Sequence, residues 1–167
     1  AMMRQAEKTA AKLERESTAK LSDDERKTLM ALLKKKTVAD ITALMDLSTA
    51  LAEQNVARYK AWSTRNTDLN SRPAVLAFNG DVYDGLQART LKPADLDWAQ
   101  QHLAILSGLY GVLRPLDRMQ PYRLEMGTRL KTDLGSNLYR VWGSQIADYL
   151  NERQAGVKTP VVVNLAS

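Results

Sequence analysis

Apolar residues recur at helical spacing through the first part of the chain. Residues 1–72 contain neither glycine nor proline, so capping signals alone divide this stretch into helices. The spacings of Ser22 with Glu25 and of Thr37 with Asp40 are those of N-terminal capping boxes. They predict helices from about 22 to 36 and 38 to 46, flanked by helices at 3–20 and 48–62. The N-terminal half is therefore predicted to be helix-rich.

Apolar runs of a different kind follow residue 72. The stretches 74–78, 122–126 and 160–165 are short and β-branched or alternating, which predicts strands. Helices are predicted between them, from Pro93 to about residue 106 and from an N-cap at Asn137 to about residue 152. We therefore expect a mixed α/β fold in a single domain, 1–167, with a helical part (1–62), a polar loop (63–72) and a mixed α/β part (73–167).

Composition narrows the classes of function. The chain has 167 residues, which suits one domain, and it contains no cysteine, so disulfides, thiol nucleophiles and cysteine zinc sites are excluded. No apolar run is long enough to cross a membrane, and we expect no membrane partner. The formal net charge of +5 is compatible with an anionic partner.

Common catalytic arrangements are absent from the sequence. His102 is the single histidine, which excludes a multi-histidine metal site, and neither a P-loop nor a G-x-G-x-x-G pattern occurs. We predict no metal, no cofactor and no standard catalytic set. Asp81 follows the turn signal Asn79-Gly80 at the end of a predicted strand, where a carboxylate can orient an arginine or hold a cation. Alternatively, Asp81 caps the next segment.

A glycine hairpin is predicted between residues 103 and 118. Gly108, Tyr110 and Gly111 follow an amphipathic helix, and a helix-hairpin-helix element of this kind donates backbone N–H groups to consecutive DNA phosphates. The spacing is G-x-x-G rather than G-x-G, and Pro115 shortens any second helix. The alternative is a tight turn between packed elements.

Basic residues are concentrated after this hairpin. Six cations stand against the three acids Asp117, Glu125 and Asp133, a local excess of +3, and arginine suits phosphate oxygens. The six are Arg114, Arg118, Arg123, Arg129, Lys131 and Arg140. The alternative is that Arg114 with Asp117 and Arg123 with Glu125 form ion pairs that fix the surrounding loops.

Three stretches together resemble the YaaA peroxide-stress-response family. They are FNGDVYDGLQA at 78–88, QQHLAILSGLYGVLRPLD at 100–117 and MQPYRLEMG at 119–127. Family members open with a short strand and an SPAKTLDY-like motif and continue beyond NLAS. This chain opens with AMMRQAEKTA and its sequence stops at NLAS, so we expect a truncated or re-engineered core of the family.

The resemblance implies a bacterial cytoplasmic protein that binds duplex or distorted DNA and limits damage from hydrogen peroxide and free iron. It also implies a helix-hairpin-helix element and a basic cleft. The DNA-binding residues are then expected to be Gly108, Tyr110, Gly111, Arg114, Arg118, Arg123, Arg129 and Lys131. Two alternatives remain open: an enzyme that binds a small anion with Asp81, Tyr83, Arg114 and Arg123, or an inactive scaffold.

Overall fold

The computed structural model describes residues 23–133 and 135–165. Three helices open the described chain: α1 (Asp23–Leu33), α2 (Val38–Met45) and α3 (Thr49–Ala61). Their bounds agree with the predicted helices to within a residue or two, apart from the end of α1, which precedes the three lysines 34–36. The helix predicted at 3–20 and the cap at Ser22 lie outside the described residues.

Capping side chains set the boundaries of α2 and α3. The Thr37 hydroxyl accepts from Asp40 N at 3.2 Å, and the Asp40 carboxylate accepts from Thr37 N at 2.8 Å, which confirms the predicted capping box. Ser48 caps α3 by accepting from Leu51 N. Asp46 ends α2 in the left-handed region at φ 51°. These local bonds satisfy helix-end N–H groups that would otherwise lack partners.

The strand predicted at 74–78 is wrong. In this region only the two residues of β1 (Arg72–Pro73) belong to a strand. The residues that follow form the helices α4 (Ala74–Ala77) and α5 (Asp81–Leu86). Alanine and leucine in this run favour a helix, and Phe78 N closes the helical turn on the carbonyl of Ala74 at 3.1 Å. Gly80, rather than Asp81, is the N-cap of α5, so Asp81 is not the predicted cap.

The predicted helix-hairpin-helix does not form at residues 103–118. Helix α6 (Pro93–His102) ends earlier than expected, and β2 (Ile105–Ser107) then pairs antiparallel with β3 (Gly111–Leu113). Strand β4 (Arg118–Met119) pairs with β1. Leu103 is extended, and the β-branched Ile105 and Val112 suit a ladder better than a helix. The glycines therefore lie in a β-hairpin.

The C-terminal part contains α7 (Leu138–Trp142) and α8 (Gln145–Arg153). Asn137 accepts from Arg140 N at 3.0 Å, which confirms the predicted N-cap. The predicted single helix is interrupted by Gly143, whose φ of +50° lies in the left-handed region. The strands predicted at 122–126 and 160–165 are also wrong, because neither stretch belongs to a sheet within the described residues.

The fold is mixed α/β, as predicted, with two small antiparallel sheets of two strands each among the described residues. The larger core joins α1, α2 and α3 to the hairpin and α7, through side chains such as Leu29, Tyr59, Val112 and Trp142. A smaller cluster lies around Leu96 and Leu116. The helical N-terminal part and the motif-bearing part thus share one core.

Candidate functional site

The hairpin glycines are buried. A β-carbon at Gly108 would lie 2.2 Å from the carbonyl oxygen of Leu124, so only glycine fits there. The Gly108 carbonyl accepts from Trp142 Nε1 at 3.0 Å. Gly111 has φ +71°, which the return of the hairpin requires. Both glycines thus serve close packing and turn geometry, and their predicted contact with DNA stays a prediction.

Tyr110 is buried and forms hydrogen bonds with residues that are distant in the sequence. Its hydroxyl accepts from Trp62 Nε1 at 3.2 Å and from Gln120 N at 3.1 Å. Its own backbone N donates to Ser107 Oγ at 2.8 Å. The ring is 4% exposed and lies beneath the guanidinium of Arg26. Burial of this kind supports a structural role, because the ring presents almost no surface to a partner.

Two of the predicted DNA-binding arginines are tied into the protein. Arg114 donates to Asp117 Oδ1 at 3.0 Å through its side chain and to Oδ2 at 2.8 Å through its backbone N. Arg118 pairs with Asp68 at 2.7 Å and also donates to Ser71 Oγ. The Arg118 side chain is 6% exposed. The ion-pair alternative is therefore confirmed for Arg114 with Asp117.

Arg123 lies at the surface and pairs with Glu125 at 2.7 Å, which confirms the second predicted ion pair. Its backbone carbonyl accepts a hydrogen bond from the Tyr59 hydroxyl. Burial raises the pKa of Tyr59 to about 12, partly opposed by Arg123 and Arg58, so this phenol is a donor at neutral pH. A residue of helix α3 is thereby bonded to the backbone of the basic stretch at Arg123.

Arg129 and Lys131 are exposed on either side of buried Leu130. The loop that follows is closed by two backbone bonds, Thr132 N to Gly135 O at 2.8 Å and Gly135 N to Thr132 O at 3.2 Å. A β-carbon at Gly135 would lie 2.7 Å from Cβ of Arg140, so this loop packs directly on Arg140. The structure therefore brings Arg140, from α7, against the loop that follows Lys131.

Tyr83 belongs to a separate aromatic cluster. Tyr83 stacks on Phe78 at 5.3 Å, and Phe78 also meets the edge of Tyr122. The hydroxyls of Tyr122 and Ser107 share a hydrogen bond of 2.5 Å. Burial raises the pKa of both Tyr83 and Tyr122. Asp81 itself is exposed on α5, so its functional role stays a prediction.

Sequence reasoning missed several polar side chains that hold the site region together. Gln120 accepts from Ser63 N at 3.0 Å and donates to Ser63 O, and Gln100 Oε1 accepts from Leu116 N at 2.7 Å. Arg153 donates to the Leu103 carbonyl just beyond α6. Glutamine and arginine usually lie at the surface, so nothing in the sequence pattern indicates these hydrogen bonds.

Two kinds of feature are absent from residues 23–133 and 135–165. They contain no cluster of three or more histidine, cysteine, aspartate or glutamate side chains arranged to hold a metal. Nor do they contain a helix long and apolar enough to cross a membrane. His102 is exposed and stacks on Trp98 at 4.2 Å between ring centroids.

These features define a mixed α/β protein whose arginine-rich loops are partly tied into its own core and partly presented at its surface. The chain belongs to the family described as peroxide stress protein YaaA, whose family model matches residues 2–167. The resemblance seen in the three motifs is thereby confirmed, together with membership of a peroxide stress family.

Several curated proteins that are similar in sequence to this chain have the name UPF0246 protein. One from Bordetella petrii is 72% identical over 139 residues, which cover 83% of this chain and 54% of the relative. One from Bordetella pertussis is 65% identical over 150 residues, covering 90% and 58% respectively. One from Leptothrix cholodnii is 65% identical over 139 residues, covering 83% and 54%. The chain thus spans little more than half the length of these relatives.

Proposed function

We propose that this chain provides a DNA-contacting surface in a bacterial peroxide stress protein. The surface consists of Arg129, Lys131 and Arg140, which we call the basic patch. It contacts the phosphates of duplex DNA and reads little sequence. This site differs from the one predicted from sequence. It leaves out the buried hairpin, the two arginines that pair internally and Arg123, which pairs with Glu125, and it adds Arg140.

The observation that carries this proposal is the exposure of three cations around one closed loop. Thr128 and Leu130 are buried, at 6% and 3% exposure, whereas Arg129 between them and Lys131 after them are exposed to solvent. The Thr132 to Gly135 bonds hold the loop against Arg140. Among the ion pairs of the described residues, none includes any of the three cations.

Phosphate contact is the chemistry that suits such a patch. Arginine offers five donors in a planar fork, and lysine supplies a compact charge, so both bind phosphate oxygens without reading bases. The neighbouring Arg123 is held by Glu125 and can reach a phosphate only by exchanging that surface partner, at little cost. The family name supports a stress response to peroxide, and the net charge of +5 favours an anionic partner.

A salt titration on this chain tests the proposal. Binding to a fluorescent duplex of about 30 base pairs is measured by anisotropy from low to moderate salt. Each phosphate contact contributes about 0.9 to the slope of log K against log salt. The combined R129A, K131A and R140A variant should therefore lose about 2.7 from the slope, with a cooperative thermal transition retained.

Lys158→Ala is the matched control, because Lys158 is an exposed cation outside the patch. Its slope should remain close to that of the parent chain. If the triple variant binds as tightly as the control across all salt concentrations, the basic patch is not the DNA contact. Strong preference for one oligonucleotide sequence would also contradict a contact made mainly with phosphates.

A further inference from the structure

The loop between α3 and β1 places Leu69 in solvent. Its side chain is 98% exposed, the highest value among the large apolar side chains of the described residues. Single exposed apolar side chains are common on protein surfaces. Leu69 differs from them because the loop that presents it is fixed by hydrogen bonds on both sides of it.

Hydrogen bonds within the loop close a turn around Leu69. Thr67 N donates to Asn70 Oδ1 at 2.7 Å, and Asn70 N donates to Thr67 Oγ1 at 3.3 Å. The Thr67 carbonyl accepts from Ser71 N at 3.0 Å and from Ser71 Oγ at 2.6 Å. Asn70 Nδ2 also donates to the Arg65 carbonyl at 3.0 Å. Because this turn is already ordered, little conformational freedom is lost when a partner binds to it.

Two residues that are distant in the sequence attach this turn to the rest of the protein. Arg118, from β4, donates to Ser71 Oγ at 3.1 Å and to the Ser71 carbonyl at 3.3 Å. Gln120 Nε2 donates to Asn66 Oδ1 at 2.9 Å. The exposure of Leu69 is therefore a property of the folded chain.

The charged groups around Leu69 are mainly positive. Arg72 Nη1 donates to the Asp68 carbonyl at 3.1 Å, which holds a guanidinium beside the residue that precedes Leu69. The Asp68 carboxylate is paired with Arg118 at 2.7 Å, and Arg65 is exposed at the start of the turn. The loop thus presents an apolar side chain among three arginines and one aspartate.

We propose that Leu69 is a wedge that enters the minor groove of duplex DNA and inserts between two base pairs, while Arg65 and Arg72 bind the phosphates beside it. Minor-groove proteins combine basic side chains with apolar wedges, leucine included, that unstack a base step and kink the duplex. The bend brings more of the DNA backbone onto the protein. This inference rests on the DNA contact proposed for the basic patch and adds a second contact of a different kind.

A membrane or a protein fits this loop less well as its partner. One leucine side chain buries less apolar area than a single acyl chain, and a single acyl chain already gives only marginal attachment to a membrane. A protein would need an apolar pocket bordered by acidic groups. Every duplex offers stacked bases between two rows of phosphates, so DNA matches both the leucine and the arginines.

Ring closure of short DNA tests the wedge. A fragment of about 100 base pairs is shorter than the persistence length of about 150 base pairs, so ligase closes it slowly unless a protein bends it. This chain should raise the yield of closed rings on the order of 10-fold, and Leu69→Ala should return it nearly to the value of free DNA. Ligation of the same fragment into linear dimers checks that the ligase itself is unaffected.

Val157→Ala is the matched control, because Val157 is an apolar side chain outside the loop and is 53% exposed. It should close rings as the parent does. Leu69→Ala should keep the melting temperature within about 1 °C of the parent, because the side chain is already solvated. It should also keep the slope of log K against log salt, because it removes no charge, whereas Arg65→Ala should lower that slope by about 0.9.

The outcomes separate the wedge from the basic patch. Equal ring closure by Leu69→Ala and the parent would overturn the wedge alone, as would binding of the parent without any gain in ring closure. If the triple variant of the basic patch binds like its control while Leu69→Ala loses ring closure, the loop rather than the patch contacts DNA. Absence of DNA binding by the parent at every salt concentration would overturn both.

Discussion

Gly108 illustrates how strictly one residue is constrained by close packing. Because glycine has no side chain, the Leu124 carbonyl oxygen can approach closely. A β-carbon added at Gly108 would lie only 2.2 Å from that oxygen. A backbone atom cannot move aside as the end of a flexible side chain can. The position is therefore fixed by contact between two backbone segments that are distant in the sequence.

We expect Gly108→Ala to destabilise the fold by about 1–3 kcal/mol, the usual cost of forcing a methyl group into a filled space. Chemical denaturation measures the change. Gly127→Ala is the control, because nothing lies within 4 Å of the position that a β-carbon would take there and exposed glycine replacements are often neutral or favourable. Equal stabilities for the two variants would show that the hairpin does not pack as described.

Two ion pairs of the same type differ in their surroundings. Asp117 is 8% exposed and accepts from both the backbone and the side chain of Arg114, whereas Glu125 is mostly exposed and accepts from Arg123. Removing one partner of a buried pair leaves an uncompensated charge, which costs about 3–5 kcal/mol. An exposed pair contributes about 0–1 kcal/mol.

Asp117→Ala should therefore destabilise the protein by about 3 kcal/mol, while Glu125→Ala should change its stability by about 0.5 kcal/mol or less. Urea unfolding of both variants checks the difference. Similar losses would indicate that Arg114 and Asp117 are more hydrated than their burial suggests. Because Glu125 would compete with a phosphate for Arg123, its removal should not weaken the DNA binding proposed above.

At the scale of elements, the capping box at the start of α2 depends on the ionised carboxylate of Asp40. Hydrogen bonds from the Thr37 backbone and side chain hold the pKa of Asp40 below its usual value. A lowered folded-state pKa means that the unfolded chain binds the proton first as pH falls. The contribution of Asp40 is therefore complete above about pH 4, the ordinary aspartate range, and disappears as pH falls through the lower folded-state value.

Asp40→Asn removes this titration while keeping the side chain's shape. Melting temperatures of the parent and the variant should differ at about pH 6 and converge as the pH is lowered toward about 3, below the ordinary aspartate range. Circular dichroism of both proteins across this range is the measurement. A difference that stays constant with pH would show that the carboxylate charge does not contribute to the cap.

The elements that could be predicted from sequence are those defined by local chemistry. Thr37, Ser48 and Asn137 carry caps whose partners lie within three residues, so α2, α3 and the start of α7 were predictable. The short strands were not, because pairing Arg72 with Met119 or Ile105 with Leu113 depends on segments that meet only in the folded chain. Alternation at 122–126 predicted a strand, but alternation there reflects burial on one side without a sheet partner.

The same limit applies to the candidate site. The excess of arginine and two of its ion pairs could be predicted, since each pair joins residues two or three apart. The pairing of Arg118 with Asp68 joins β4 to the loop that follows α3. The packing of Arg140 beside the Thr132 to Gly135 loop depends on α7. Which cations remain available to a phosphate is thus a property of the folded chain.

At the scale of the whole molecule, α8 is joined to the preceding elements through Arg153. Its guanidinium donates to the Leu103 carbonyl at 3.0 Å and to the Gln100 carbonyl at 3.2 Å, at the end of α6. Cations near a helix C-terminus are favoured by the helix dipole as well. The bonds connect residues that are 50 or more positions apart.

We expect Arg153→Ala to destabilise the fold by about 1.5–3 kcal/mol, the range for hydrogen bonds to a charged group. Limited proteolysis should cut α8 faster in this variant than in the parent. Arg153→Lys keeps the charge but loses the planar guanidinium that donates to two carbonyls at once. Its stability should therefore lie between those of Arg153→Ala and the parent. Full recovery by lysine would assign the effect to charge alone.

Tryptophan fluorescence can report on the contacts between the hairpin and the helices around it. Trp62 donates to Tyr110 and Trp142 donates to Gly108, so two buried indoles approach the hairpin from α3 and from α7. The third, Trp98, is 59% exposed. In a Trp98→Phe variant, the tryptophan fluorescence would come only from the two indoles bonded to the hairpin. A red shift of that emission would then report separation of the hairpin from the helices on either side of it.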